Sequence, residues 1–259
     1  MDRARGFTLV ELVMVIMLMS IVATVSVTFI GQAARGVIDT GARQQRALAG
    51  IVISERLTRE LREALPNSLR ANGACIEWMP IVAASTYEGL PTAASPASFQ
   101  AVALPGGSSA SGRVAIYGYG RDLYNYANPG PLSPPASVAA GSPLVPVTFD
   151  SGLTHRFNTR SPNQRFYLVT DPVTLCQSGQ YLYRYKNYGL QPGLGDSLPT
   201  AMPGREVVAA GLEASSVAFR VTPATLKRNA VVAFDFTLAD VATGEKFSVS
   251  QEVQVRNVP

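Results

Sequence analysis

The sequence predicts an α+β protein: a long N-terminal helix, half membrane span and half amphipathic, laid on an antiparallel β-sheet with Gly/Pro-rich loops. Three observations carry that prediction. From Phe7 to Ile30 the chain is apolar apart from small hydroxyl residues and one carboxylate, Glu11. From Gln32 to Leu65 it is rich in Ala, Arg, Gln, Glu and Leu at helical spacing. Beyond Pro66 only short β-branched or aromatic runs occur, ending in a strict alternation of apolar and polar residues.

As a helix, the run from Phe7 to Ile30 is about 24 residues and rises roughly 36 Å, enough to cross a bilayer core of about 30 Å. It is longer than the apolar core of a secretory signal peptide, and its small-residue junction, Gly6-Phe7, precedes the apolar stretch rather than following it. Glu11 lies near the start of the span. An ionised side chain there is unfavourable by up to about 3 kcal/mol, depending on depth, unless it finds a partner or reaches the interface. Arg3 and Arg5 hold the N-terminus in the cytoplasm by the positive-inside rule, with Arg35 as weaker opposition, so the bulk of the chain is expected to be exported.

The second half of the helix is amphipathic. Ile53, Leu57, Leu61 and Ala64 form an apolar stripe with Leu65 alongside, and Arg56, Arg59, Glu60, Arg62 and Glu63 occupy the remaining surface. Pro66-Asn67 ends it. Gly31, Gly36, Gly41 and Gly50 each weaken the helix by up to about 1 kcal/mol relative to Ala, so local melting is expected at the join of its halves.

The remainder reads as strands and loops. Strands are expected at Cys75–Val82, limited by Pro80, within Phe99–Leu104, and at Arg113–Tyr119, Arg165–Thr170, Gln180–Tyr185, Glu206–Ala210 and Ser216–Val221. Gly89–Gly112 is otherwise expected to be surface loop, and Asn128–Pro146 a proline-rich loop. Ala230–Leu238, a turn at Asp240–Gly244, and Phe247, Val249, Val253 and Val255 alternating with polar residues predict an antiparallel hairpin with one buried face.

Gly6-Phe7-Thr8-Leu9-Val10-Glu11 resembles the leader junction of type IV prepilins and pseudopilins. The resemblance implies cleavage after Gly6 by a prepilin peptidase, N-methylation of Phe7 by the same enzyme, and pairing of Glu11 with the N-terminal amine of a neighbouring subunit. A buried carboxylate needs a cation, and a freshly exposed amine supplies one. Some pseudopilins thought to cap the filament tip lack this carboxylate, so a subunit retaining it need not be terminal. The segments Leu61–Ser68, Cys75–Ile81 and Phe166–Val173 leading to Cys176 further resemble accessory pilins of mannose-sensitive-haemagglutinin-type pilus systems. Together these imply a leader at 1–6, a transmembrane helix at 7–30, its amphipathic continuation at 31–65 and a periplasmic β-rich domain at 66–259. The implied partners are prepilin peptidase, other major and minor pilins, the inner-membrane assembly platform and membrane lipid. A type II secretion pseudopilin and a membrane-tethered glycan- or DNA-binding module are the competing readings.

The chain's 259 residues carry a net charge of +4, which loss of Asp2, Arg3 and Arg5 lowers by one. That imbalance is too small to point to nucleic acid. Cys75 and Cys176 are expected either to pair, closing a loop of about 100 residues worth roughly 4–5 kcal/mol in the chain-entropy model, or to remain buried thiols. Neither sits in a CxxC or zinc spacing. His155, the single histidine, has no identifiable serine or carboxylate partner, Gly118-Tyr119-Gly120 lacks the third glycine of a dinucleotide loop, and Asp150, Asp171, Asp196 and Asp240 have no calcium-loop spacing. No enzymatic activity, cofactor or metal is therefore expected. Tyr117, Tyr119, Tyr124 and Tyr126 form one aromatic cluster, and Tyr181, Tyr183, Tyr185 and Tyr188 another. Such rings pack on a sheet face or offer a binding surface, and Tyr124 and Tyr126 are the candidate adhesive pair.

Overall fold

The computed structural model describes residues 8–90, 92–240 and 243–256. The chain divides into two units, residues 1–49 and 50–259. One helix, α1 (Leu9–Arg62), runs from the first into the second.

In the first unit the helix is solvent-exposed from Leu9 to Gly41, and it is long and apolar enough to cross a membrane. Its hydroxyls are satisfied internally. Ser20, Thr24 and Thr28 donate to the carbonyls of Ile16, Ser20 and Thr24 at 2.8, 2.8 and 2.7 Å. These bonds keep polar atoms within an apolar surface without requiring an outside partner. The helix runs unbroken through Gly31, Gly36 and Gly41, in contrast to the melting expected there. Loss of propensity does not by itself break a ladder whose carbonyls are all bonded.

In the second unit the helix buries Gly50, Ile53, Ser54, Leu57, Thr58 and Leu61. Ala64 and Leu65 continue the buried stripe, as the helical spacing predicts. Gly50 is a packing residue: a Cβ there would stand 2.7 Å from the Phe247 ring. Apart from three single-turn 3-10 helices, at Pro66–Ser68, Pro105–Gly107 and Asp150–Gly152, the regular elements described thereafter are strands: β1 (Arg70–Asn72), β2 (Cys75–Trp78), β3 (Ile81–Glu88), β4 (Ser98–Val102), β5 (Ala110–Ala115), β6 (Leu132–Val138), β7 (Leu144–Phe149), β8 (Arg165–Val169), β9 (Val173–Ser178), β10 (Tyr181–Tyr185), β11 (Arg205–Ala210), β12 (Ala218–Thr222), β13 (Ala230–Ala239) and β14 (Lys246–Val255).

These strands make a five-stranded sheet in the order β1-β2-β9-β10-β11, a three-stranded sheet β12-β13-β14, and a closed barrel β3-β4-β7-β6-β5-β8. The pairings among the described strands are antiparallel. The helix stripe and both open sheets share one core, including Ile76, Trp78, Leu175, Leu182, Phe219, Phe234 and Val253. The C-terminal hairpin has the predicted alternation, with every second residue of β13 buried.

The barrel lies in sequence between β2 and β9 and has its own core. Phe99 packs against Phe149, Phe157 and Phe166 with ring centroids 6.2, 6.1 and 5.9 Å apart. It replaces the loop expected at Asn128–Pro146, whereas β4 falls at the short strand expected within Phe99–Leu104. Pro134 and Pro135 lie within β6 because the β5–β6 register shifts between Arg113 and Ala115, and the Ser133 hydroxyl accepts the Val114 amide at 2.8 Å. A bulge and one side-chain acceptor thus substitute for ladder bonds that proline cannot make. Closure removes the free edges that such short strands would otherwise expose.

Candidate functional site

Glu11 occupies the first turn of α1, and Thr8 caps that turn. The Glu11 amide donates to the Thr8 hydroxyl at 3.3 Å, and the Leu12 amide to the Thr8 carbonyl at 3.1 Å. Thr8 and Glu11 therefore have the spacing of a capping box. Leu9, Val10, Leu12 and Val13 surround the carboxylate with exposed apolar surface. Glu11 is the only charged residue between Thr8 and Ala34. A helix N-terminus stabilises a negative charge by about 0.3–1 kcal/mol, against a burial cost of up to about 3 kcal/mol in hydrocarbon. The helix's own dipole offsets only part of that cost. The other two residues of the expected processing site, Gly6 and Phe7, lie outside the described residues.

Cys75 and Cys176 form a disulfide, with Cα atoms 4.2 Å apart and directly opposite each other in the β2–β9 ladder. The bridge thus joins the two strands that carry the chain into and out of the barrel.

Tyr124 is not surface. It is 4% exposed, its hydroxyl donates to the Ser68 carbonyl at 2.6 Å, and the Arg70 guanidinium lies over its ring at 3.5 Å. An adhesive pair of Tyr124 and Tyr126 is therefore corrected: Tyr124 is a structural pillar, and only Tyr126, 44% exposed, presents a ring to solvent. The alternating apolar pattern did not mark it because the burying partners come from β1 and the helix end. In the second cluster Tyr181, Tyr183 and Tyr185 form a ladder on one sheet face, ring centroids 5.8 and 6.3 Å apart, with Arg205 stacked 3.5 Å over Tyr183.

Sequence reasoning missed a buried polar network around Glu77, which is fully buried. Arg70 Nε donates to Glu77 Oε2, and the Tyr188 hydroxyl donates to Oε1 at 2.7 Å and bonds Thr174 Oγ1 at 2.6 Å. Burial pushes the Tyr188 phenol far up, and the neighbouring Glu77 carboxylate adds to the shift. A second network joins the helix to the sheet: Arg184 pairs with Glu60 and with Glu206, and Lys186 with Glu206. Burial alone would raise the Glu206 carboxyl, but Lys186 and Arg184 hold it below its ordinary value.

His155 is also a core residue. Its Nε2 lies 3.2 Å from the Gly130 carbonyl, its ring stands edge-on to Phe157 at 4.7 Å, and its buried Nδ1 has no hydrogen-bond partner. Burial lowers its pKa below 6.5, partly opposed by Gly130. Below about pH 6.5 the unfolded chain binds a proton that the folded barrel resists, so stability is lost as pH falls. The midpoint of barrel unfolding should drop between about pH 7 and pH 5, and His155→Gln should flatten that part of the profile. An unchanged slope in the variant would contradict this assignment.

Among the described residues no group of three or more His, Cys, Asp or Glu side chains converges as a metal site. No curated protein and no solved structure matches the chain significantly. Residues 1–27 match the prokaryotic N-terminal methylation motif, which supports a type IV pilin-like or pseudopilin-like protein anchored by its apolar helix.

Proposed function

We propose that the chain is a minor pilin subunit that takes part in assembling or priming a type IV pilus of the mannose-sensitive-haemagglutinin type. Prepilin peptidase removes residues 1–6 after Gly6 and methylates the new N-terminus at Phe7. Residues 7–30 span the inner membrane with the N-terminus cytoplasmic, residues 31–65 continue the helix, and residues 66–259 lie in the periplasm until the subunit enters the pilus. The partners are other major and minor pilins and the inner-membrane assembly platform. The observation that carries this reading is the lone carboxylate of Glu11, in the first turn of an apolar helix, within residues 1–27 that match the methylation motif. Its burial is relieved by the N-terminal amine of the next subunit.

Glu11→Ala tests it. The variant should insert into the membrane at the normal level, while its amount in sheared filaments falls about 10- to 100-fold, the scale set by a pairing of up to about 3 kcal/mol. Normal incorporation would remove Glu11 from assembly. Mass spectrometry of the N-terminus should find methylated Phe7 in peptidase-competent cells, and an intact leader there would overturn the processing. Gene deletion should stop piliation; a block in protein secretion with piliation intact would assign the chain to the secretion pseudopilins.

A further inference from the structure

Leu182 points from β10 into the core shared with α1, so the alternation of a strand turns Tyr181, Tyr183 and Tyr185 to the opposite face of the five-stranded sheet. On β11 the same face takes Arg205 and, two residues on, Val207. Arg205 lies 3.5 Å over the Tyr183 ring and 5.8 Å from that of Tyr185. Among the described residues its guanidinium has no hydrogen bond or ion pair, and its Nε is buried without a partner. Neither nearby carboxylate answers it. Glu206 alternates to the other face and pairs with Arg184 and Lys186, and Glu77 is held by Arg70. Around this uncompensated cation Tyr181 and Val207 are 44% and 52% exposed.

β11 is also the last strand of its sheet. The Lys186 amide donates to the Gly204 carbonyl at 2.9 Å, so Glu206 is the next residue whose main chain faces β10. The N–H and C=O of Val207 therefore point outward. We propose that this edge takes an extended acidic segment of a partner protein as an antiparallel sixth strand. The segment's main chain bonds the Val207 N–H and C=O and the Arg205 C=O; the Arg205 N–H is already spent on the Ala201 carbonyl. An apolar side chain of the segment lies beside Val207, and two residues further on a carboxylate meets Arg205. A half-buried cation without a counter-charge selects the acidic residue, and the free main-chain groups select an extended backbone. Arg and Tyr are side chains that concentrate in docking surfaces. The surface does not depend on the assembly role of Glu11.

The test is calorimetric titration of the full chain in detergent micelles with the acetylated, amidated peptide Thr-Val-Thr-Glu-Thr, its Glu→Gln analogue and tetragalacturonate. The acidic peptide should bind with Kd below about 1 mM and weaken with salt, and the Gln analogue should bind about 10-fold more weakly. Arg205→Gln should weaken the acidic peptide by a similar factor. Val207→Pro removes an outward N–H, which an edge strand tolerates, so it should weaken binding about 10-fold without lowering the melting temperature. Absence of peptide binding at about 1 mM, equal affinity for the Gln analogue, tighter binding of tetragalacturonate, or unchanged binding in either variant would each overturn the proposal.

Discussion

Arg70→Met is expected to destabilise the folded unit by about 3–5 kcal/mol, because it leaves the Glu77 carboxylate buried without its counter-charge. Glu77 is fully buried, and apart from Arg70 its hydrogen-bond partner is the neutral Tyr188 hydroxyl at 2.7 Å. Arg70 does more than neutralise it. Its two Nη atoms donate to the carbonyls of Pro192, Gln191 and Gly193 at 2.6, 2.8 and 3.3 Å, and its face covers Tyr124. One planar guanidinium thus fastens the loop after β10 to the start of the five-stranded sheet. Lysine keeps the charge but not the fork, so Arg70→Lys should recover only part of the loss.

The double variant Arg70→Met/Glu77→Leu separates charge from packing. Removing both partners leaves no uncompensated charge, so it should be more stable than Arg70→Met alone. Trp78, the single tryptophan, adjoins Glu77 and is 2% exposed, so its fluorescence follows unfolding of this region directly. A single-variant loss below about 1 kcal/mol, or a double variant less stable than the single, would show that the pair is not electrostatically coupled as described.

What was legible in the sequence follows the range of the forces involved. The helix stripe from Ile53 to Leu65 and the β13–β14 hairpin are set by local periodicity, and both occur as read. The carboxylate of Glu11 stood out because its neighbours in sequence are also its neighbours in space. The barrel was legible only in part: strands were expected within Phe99–Leu104 and at Arg113–Tyr119 and Arg165–Thr170, whereas β6 and the start of β7 read as loop. Its strands carry Pro134, Pro135 and Pro146, which signal loops locally, and they are tolerated through a register shift and a serine hydroxyl that only the paired strand reveals. Tyr124 and Glu77 were missed for a related reason. Their burial depends on Ser68 and Arg70, and on Tyr188 far along the chain, at separations that follow no helical or strand period.

Replacing the disulfide with Cys75→Ala/Cys176→Ala is expected to cost about 4–5 kcal/mol against complete unfolding in the chain-entropy model. The bridged residues are separated by 101 positions, and the loop they close contains all six barrel strands. The loss should be smaller for a state in which the open sheets unfold while the barrel persists. There the Ile81–Val169 pairing already holds the chain together. The loop closed by the bridge then shrinks to roughly 13 residues, worth about 3 kcal/mol. Denaturant titration of the full chain in detergent, with and without reductant, distinguishes the two. Trp78 fluorescence reports the open sheet and near-ultraviolet dichroism the Phe and Tyr cluster of the barrel. If the barrel unfolds last, reduction should shift the Trp78 transition by about 3 kcal/mol; coincident transitions should both shift by about 4–5 kcal/mol. A shift below about 1 kcal/mol for both probes would mean that the bridge adds little beyond the β2–β9 pairing it spans.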